Sequence, residues 1–228
     1  MRPHRRFGVY FQAFAFRVSL LAMQTAADVQ AELPAIVEKP ARIRDLGAVD
    51  TEALQRMVAR LSETAWNRAD AEKQNDFECF HSTRHLLFRF TPHNANPRLF
   101  DTYPAWHVWK PLLLPVFDHV TRGYGFRARE YPKAMLARLE AGGTIDRHVD
   151  GGESDRRAHK IHVPLQTNPK ALIVIEGEPF HLRAGHAYEV NNVVRHAVEN
   201  FGDEDRIHLV FEVFDDARSG QVSAHEHA

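Results

Sequence analysis

The sequence predicts an α+β, mainly β fold, with helices in the first half of the chain and a double-sheeted jelly-roll core in the second. Two patterns predict it. After residue 130, short apolar segments follow one another at roughly ten-residue spacing with turn residues between them, the signature of a sandwich or barrel. Before that point the apolar residues recur at helical spacing instead. Composition agrees: 228 residues, 44% hydrophobic and 26% charged, are enough to bury a core without disulfide or metal staples, and exclude disorder, collagen and coiled coil.

Residues 1–22 open with Arg2, His4, Arg5 and Arg6 and then run apolar, imitating a secretory signal. Gln12 and Arg17 interrupt the run, so no stretch reaches the 18 or so residues of a membrane span, and the segment reads as an unstructured leader or mis-assigned start. Met23 opens a single domain over 23–216, helical and mixed over 23–130 and jelly roll over 131–216; a polar tail, 217–228, follows. Within it, Leu54, Met57, Val58 and Leu61 predict an amphipathic helix over Val49–Glu63, with Asp50 or Thr51 as N-cap. Phe77–Phe90 reads as a strand and Thr91–Pro104 as a loop; Trp106–Tyr124 reads as a helix that Pro111 and Pro115 trim or kink. Eight strands are expected next, at Ala134–Leu139, Ile145–Asp150, Lys160–Thr167, Ala171–Glu176, Phe180–Arg183, Ala187–Asn191, His196–Asn200 and Arg206–Phe214.

Lys plus Arg (29) against Asp plus Glu (30) gives a net charge of −1, without the basic excess of a nucleic-acid binder, and no membrane partner is expected. The single cysteine, Cys79, excludes an intramolecular disulfide, gives no sign of an oxidising compartment and reads as a small buried hydrophobe; with the weak signal-like start discounted, a cytoplasmic location is expected. Nothing fixes an oligomeric state. Fifteen histidines turn attention to metals and proton transfer.

His148-Val149-Asp150 is the strongest local signal. On a strand, residues i and i+2 face one side, so imidazole and carboxylate would point together. With a second histidine they would form a two-histidine, one-carboxylate triad suited to non-haem iron(II); alone, the pattern equally describes a surface histidine near a turn aspartate. His196 opens a predicted strand, and Arg206 starts the last one after a turn read as a hairpin that returns the chain beside itself. Arg206 would then either hold the far end of a dicarboxylate as a bidentate pair or form a salt bridge with Asp203 or Asp205.

Several motifs occur in order: Gly142-Gly143-Thr144-Ile145-Asp146-Arg147-His148-Val149-Asp150, Ile161-His162-Val163-Pro164-Leu165-Gln166-Thr167-Asn168-Pro169, Glu189-Val190-Asn191-Asn192, His196-Ala197-Val198-Glu199-Asn200 and Asp205-Arg206-Ile207-His208-Leu209-Val210-Phe211. In this arrangement the chain resembles the aspartyl/asparaginyl β-hydroxylase family of iron(II)- and 2-oxoglutarate-dependent dioxygenases, specifically over about 130–214 and more loosely over 77–130. The resemblance implies a double-stranded β-helix (cupin-like) core with the N-terminal helices packed on one sheet. It also implies iron ligands His148, Asp150 and His196, with Arg206 on the distal carboxylate of 2-oxoglutarate and His162 lining the cosubstrate pocket. Lys160 stands where family members often carry arginine, keeping the charge that serves a carboxylate but losing the bidentate fork. The implied reaction uses O2, releases succinate and carbon dioxide, and hydroxylates an unactivated carbon of a small amino-acid-like substrate or of a peptidyl Asp or Asn.

For a carboxylate-bearing small molecule, Lys160, Arg84, Arg89 or Arg147 would supply the pairing charge, and His208 would face the pocket with Arg206. Two alternatives stand beside the hydroxylase: a non-catalytic metal- and 2-oxoglutarate-binding module, for which Lys160 is the support, and a zinc hydrolase on the same His/Asp/His set, which leaves Arg206 unexplained. Trp106, Trp109, Phe117, Tyr124 and Phe126 read as core aromatics, and His81, His85, His93 and His107 as packed histidines.

Overall fold

The computed structural model describes residues 32–71 and 81–217. The chain divides into two units, Met1–Leu33 and Pro34–Ala228, and the second carries every element of the fold. The expected leader, Cys79 and the tail beyond 217 lie outside the described residues.

Seven antiparallel strands form the larger sheet in the order β1-β9-β6-β11-β4-β2-β3. They are β1 Ile43–Ala48, β2 Thr83–Phe90, β3 Asp101–Thr102, β4 Arg129–Leu139, β6 His159–Gln166, β9 His186–Val190 and β11 Arg206–Asp215. A four-stranded antiparallel sheet, ordered β5-β10-β7-β8, comprises β5 Thr144–His148, β7 Ala171–Ile175, β8 Glu178–Phe180 and β10 His196–Asn200. From β4 to β11 the chain passes repeatedly between the two sheets, the double-stranded β-helix expected. All eight predicted strands are present, the one expected at Phe180–Arg183 lying earlier, as β8. Leu139, Ile145, Ile173, Ile175, Tyr188, Val190 and Val198 form an apolar cluster with members on both sheets.

The second core lies on the outer face of the larger sheet. Helix α3, Pro104–Thr121, buries Trp109, Leu113 and Phe117 in one cluster with Phe88, Leu136, Ile161, Leu209 and Val213, and Phe117 stacks on Phe211 at 4.2 Å between ring centroids. Strand β11 is therefore covered on both faces: Ile207, Leu209, Phe211 and Val213 are buried, and so are the alternating Arg206, His208, Val210 and Glu212. Trp106 is buried too, and Tyr124 and Phe126 pack partly buried against this core.

Three expectations are corrected. The helix expected over Val49–Glu63 is shorter, α1 Glu52–Val58, and a second, α2 Glu63–Asp70, starts where it was expected to end, with Ser62 capping that start by accepting from the Ala65 amide at 3.2 Å. Thr51 makes no side-chain cap; the Asp50 carboxylate accepts from the Glu52 amide at 3.0 Å instead. Helix α3 runs unbroken through Pro111 and Pro115. Both prolines, and His107 whose carbonyl loses its partner, lie on the solvent side of the helix, where water satisfies the freed carbonyls. Strand β1 was not anticipated, because its mixed burial and left-handed Gly47 (φ 95°) hide any alternation. Neither were the two-residue β3, within the expected loop, and the five-residue helix α4, Glu153–Arg157.

Candidate metal centre

His148 ends β5 and His196 begins β10, and the two are directly opposed across that strand pair, their rings 4.2 Å apart. Each imidazole is oriented by a carbonyl two residues earlier: His148 Nδ1 lies 2.7 Å from the Asp146 oxygen, and His196 Nδ1 lies 2.9 Å from the Val194 oxygen. A carbonyl can only accept, so both Nδ1 atoms carry the proton and both Nε2 atoms keep a lone pair. Burial pushes His196 below its ordinary pKa, against the pull of Asp150, and so favours the neutral ring a metal needs.

Asp150 does not share the strand with His148 as expected, since β5 ends at His148. It sits in the following loop, pinned by its amide to the Asn192 carbonyl at 3.0 Å, and its Oδ1 reaches 3.5 Å from His148 Nε2. Within this loop-held arrangement, one potential ligand atom from each of His148, Asp150 and His196 lies within 4.8 Å of the others. Two imidazole lone pairs and one carboxylate oxygen on a partly buried cluster fit a divalent iron with open positions.

The outer oxygen of Asp150 explains Lys160. Its ammonium donates to Asp150 Oδ2, which also accepts from Asn192 Nδ2 at 3.1 Å. Burial alone would raise the Asp150 pKa, but Lys160 and His196 hold it far below the usual carboxylate range. Lys160 thus pairs with the protein's own carboxylate, and a lysine suffices there because a single-point charge is all Oδ2 requires. Asn192 falls within one of the ordered motifs, yet its role was not legible there; the signal lies in its pairing with a residue 42 positions earlier. Its amide is in turn fixed by Lys39 Nζ, 2.9 Å from Asn192 Oδ1.

The cluster opens on a cavity of about 460 Å3 between the two sheets, lined on the opposite wall by β11. Arg206 stands at one end of that wall, 4% exposed. It reaches the site by a different route from the hairpin expected: β10 pairs with β5 and β7, β11 with β4 and β6, so the turn after Asn200 crosses between sheets. Nor does Arg206 pair with Asp203 or Asp205. Asp205 is engaged by Arg138 at 2.5 Å, and among the described residues no carboxylate bridges Arg206. Its guanidinium lies against the His208 ring (3.1 and 2.7 Å), and burial pushes its pKa down to about 9. His162 and His208, both buried, are held well below the ordinary histidine pKa by desolvation and by Arg206.

Of the other candidates, His162 lines the cavity, whereas His208 does not; it packs behind, 3.4 Å from His162. Arg84 is bridged to Glu63 and Glu140, Arg89 to Glu130, and Arg147 is exposed; none of the three lines the cavity. His85 and His93, expected as packed histidines, are cavity-wall residues. Sequence reading also missed Lys133, Asp155 and Glu212, which meet at the end of the cavity away from Arg206: Lys133 Nζ lies 2.7 Å from Asp155 and 3.1 Å from Glu212.

Residues 106–216 match the family model described as Aspartyl/Asparaginyl beta-hydroxylase. No curated protein matches. Among solved structures, the chain is similar to an oxidoreductase of the 2OG-Fe(II) oxygenase family from Burkholderia pseudomallei, with 16% identity over 82% of this chain and 97% of that one at a TM-score of 0.55. A Pseudomonas putida prolyl-4-hydroxylase is more distant, at 14% identity, 76% and 93% coverage and a TM-score of 0.44. The first likeness bears on the fold. Among the described residues no helix is long and apolar enough to cross a membrane. The matched region carries the His148/Asp150/His196 cluster, Arg206 and the whole jelly roll, so over residues 106–216 the chain is similar to the aspartyl/asparaginyl β-hydroxylase family, and the protein is an enzyme of the 2-oxoglutarate- and iron(II)-dependent oxygenase class.

Proposed function

We propose that the protein hydroxylates an unactivated carbon of a small amino-acid-like molecule or of a peptidyl Asp or Asn, with iron(II) held by His148, Asp150 and His196. The observation that carries this reading is the pairing of that cluster with a buried arginine in the same cavity that no carboxylate among the described residues bridges. When bound, iron(II) with 2-oxoglutarate and O2 supplies the oxidising chemistry, and decarboxylation of the cosubstrate yields succinate and carbon dioxide.

The residues prepare that chemistry. Asp146 and Val194 carbonyls fix the ring tautomers so that Nε2 is presented by both histidines. Lys160 and Asn192 occupy Asp150 Oδ2, leaving Oδ1 to bind on a single point. Arg206, desolvated and unbridged, accepts the distal carboxylate of 2-oxoglutarate, an anion whose arrival neutralises a buried charge. His162 bounds the same pocket as a neutral ring, adding no competing charge. The walls exclude water by burial of Ile173, Val190 and Val198 beside the cluster. Lys160, the one support for a non-catalytic module, is accounted for by Asp150, and nothing else in the site favours that alternative. A cytoplasmic location remains our reading, since the single cysteine gives no sign of an oxidising compartment.

Anaerobic titration with iron(II) and 2-oxoglutarate, following the visible charge-transfer band of the chelate, tests the proposal. A band is expected in the parent, absent from His196→Ala and needing far more cosubstrate in Arg206→Ala. Full iron binding with no band would overturn it.

A further inference from the structure

The cavity has a second polar end that the oxygenase chemistry leaves unused. There Lys133, itself 5% exposed, is shared between Asp155 and Glu212, so one cation faces two buried carboxylates. The other lysines nearby are committed elsewhere, Lys160 to Asp150 and Lys39 to the Ala158 carbonyl and Asn192. Glu212 is 1% exposed; its Oε1 accepts from Lys133 at 3.1 Å, while its Oε2 is buried with no hydrogen-bond partner. Asn94 Oδ1 is a second buried acceptor without a partner. Both residues line the cavity.

A chain of close contacts joins them. A Cβ on Gly152 would collide with Asn94 Cβ and lie 2.8 Å from Asp155 Oδ2. The Gly152 amide donates to that same Oδ2 at 3.0 Å, and Asp155 Oδ1 bonds Lys133, which bonds Glu212. Asn94 is brought there by two successive non-glycine residues in the left-handed region, His93 (φ 54°) and Asn94 (φ 51°), a backbone cost that persists where packing enforces it. Two acceptors without partners on the walls of one cavity, beside a lysine shared by two carboxylates, call for a hydrogen-bond donor carrying positive charge. Leu87, Phe90, Met135 and Val210 supply apolar wall for its hydrocarbon part.

We infer that this end of the cavity binds the substrate through an ammonium group, with Glu212 Oε2 and Asn94 Oδ1 accepting its hydrogen bonds. The substrate class is thereby a free primary or secondary amine, such as an amino acid with an unblocked nitrogen. The inference rests on the oxygenase reading for the word substrate, and it replaces the expectation that a cation here receives a carboxylate: both lysines that line the cavity already have one.

Ligand-observed NMR on the full chain at about pH 8, with pyrrolidinium, N-acetylpyrrolidine and cyclopentanecarboxylate as probes, tests the assignment without turnover. Pyrrolidinium is expected to bind the parent at least tenfold more tightly than the other two, and to lose at least tenfold in Glu212→Gln. An amine sitting on the metal instead would be indifferent to that substitution. Equal or tighter binding of the carboxylate, pyrrolidinium binding unchanged in Glu212→Gln, or no pyrrolidinium binding at all would each overturn the inference. Should Glu212→Gln fail to fold, Asn94→Leu and the ranking of the three probes on the parent decide it. Ammonium binding with no chelate band would sink the oxygenase reading alone, and a chelate band with no ammonium preference would sink this one alone.

Discussion

Arg206 and Glu212 lie on one strand, their side chains on the same face, at opposite ends of one cavity roughly 20 Å apart along β11. Their charges are handled in opposite ways. Arg206 is desolvated against a neutral histidine ring, whereas the Glu212 carboxylate belongs to a set in which Lys133 answers both Asp155 and Glu212. A buried charge left alone is unfavourable until a counter-ion arrives, so its cost is returned as ligand affinity. A buried charge already paired is part of the fold, and what it offers a ligand is its remaining lone pairs. The difference separates an end whose charge has no carboxylate partner among the described residues from a paired, acceptor-rich end within one pocket.

The largest expected effect breaks the paired end. Lys133→Met leaves Asp155 and Glu212 buried without their cation, and urea unfolding should show a loss of about 3–5 kcal/mol. A loss below about 1 kcal/mol would mean the trio is not structural. Arg206→Met is the contrast: in cosubstrate-free protein it should leave stability unchanged or raised, while calorimetry should show 2-oxoglutarate binding weakened by at least about 2 kcal/mol, or about thirtyfold. Destabilisation equal to that of Lys133→Met would erase the distinction between the two ends.

Next in size is the support of the metal cluster. Asn192→Ala removes one of two donors to Asp150 Oδ2 and should weaken iron(II) about 10–100-fold in a competitive chelator assay, with folding retained. Unchanged metal affinity would show that Lys160 alone orients the carboxylate. The smallest effect is a pH dependence. Burial raises the Glu212 carboxyl to about 7, against the pull of Lys133, so its contribution to stability is fully present below its ordinary pKa of 4.5 and is lost as pH rises through about 7. Between about pH 5 and pH 8 the parent should lose roughly 1 kcal/mol more than Glu212→Gln, since relaxation around Lys133 reduces the full effect of such a shift. Parallel losses in the two proteins would remove Glu212 as the origin.

The eight jelly-roll strands, the three-residue cluster and Arg206 were legible in the amino-acid sequence because each announces itself locally or in an ordered run of motifs. Period-two alternation, Gly-Gly and Asn-Pro turns, and the His148-x-Asp150 spacing need no knowledge of what lies across the fold. Even so, local spacing misplaces two of these: Asp150 reaches His148 from a loop, and the turn before Arg206 crosses between sheets where a hairpin was expected. Turn residues say that a chain reverses but not which sheet the next strand joins, and that choice is made by the pairing of β11 with β4 and β6.

What tertiary structure alone decided is the partnering of charges. Lys133 finds Asp155 and Glu212 at separations of 22 and 79 residues, Lys160 turns to Asp150, and Asn192 reaches back 42 positions to the same carboxylate. In sequence each of these is an ordinary polar residue on or beside a strand, with no period to betray it. Burial makes them informative, because only in a dry cavity does an unpaired acceptor or a solitary guanidinium cost enough to require an explanation, and burial is a property of the assembled sheets.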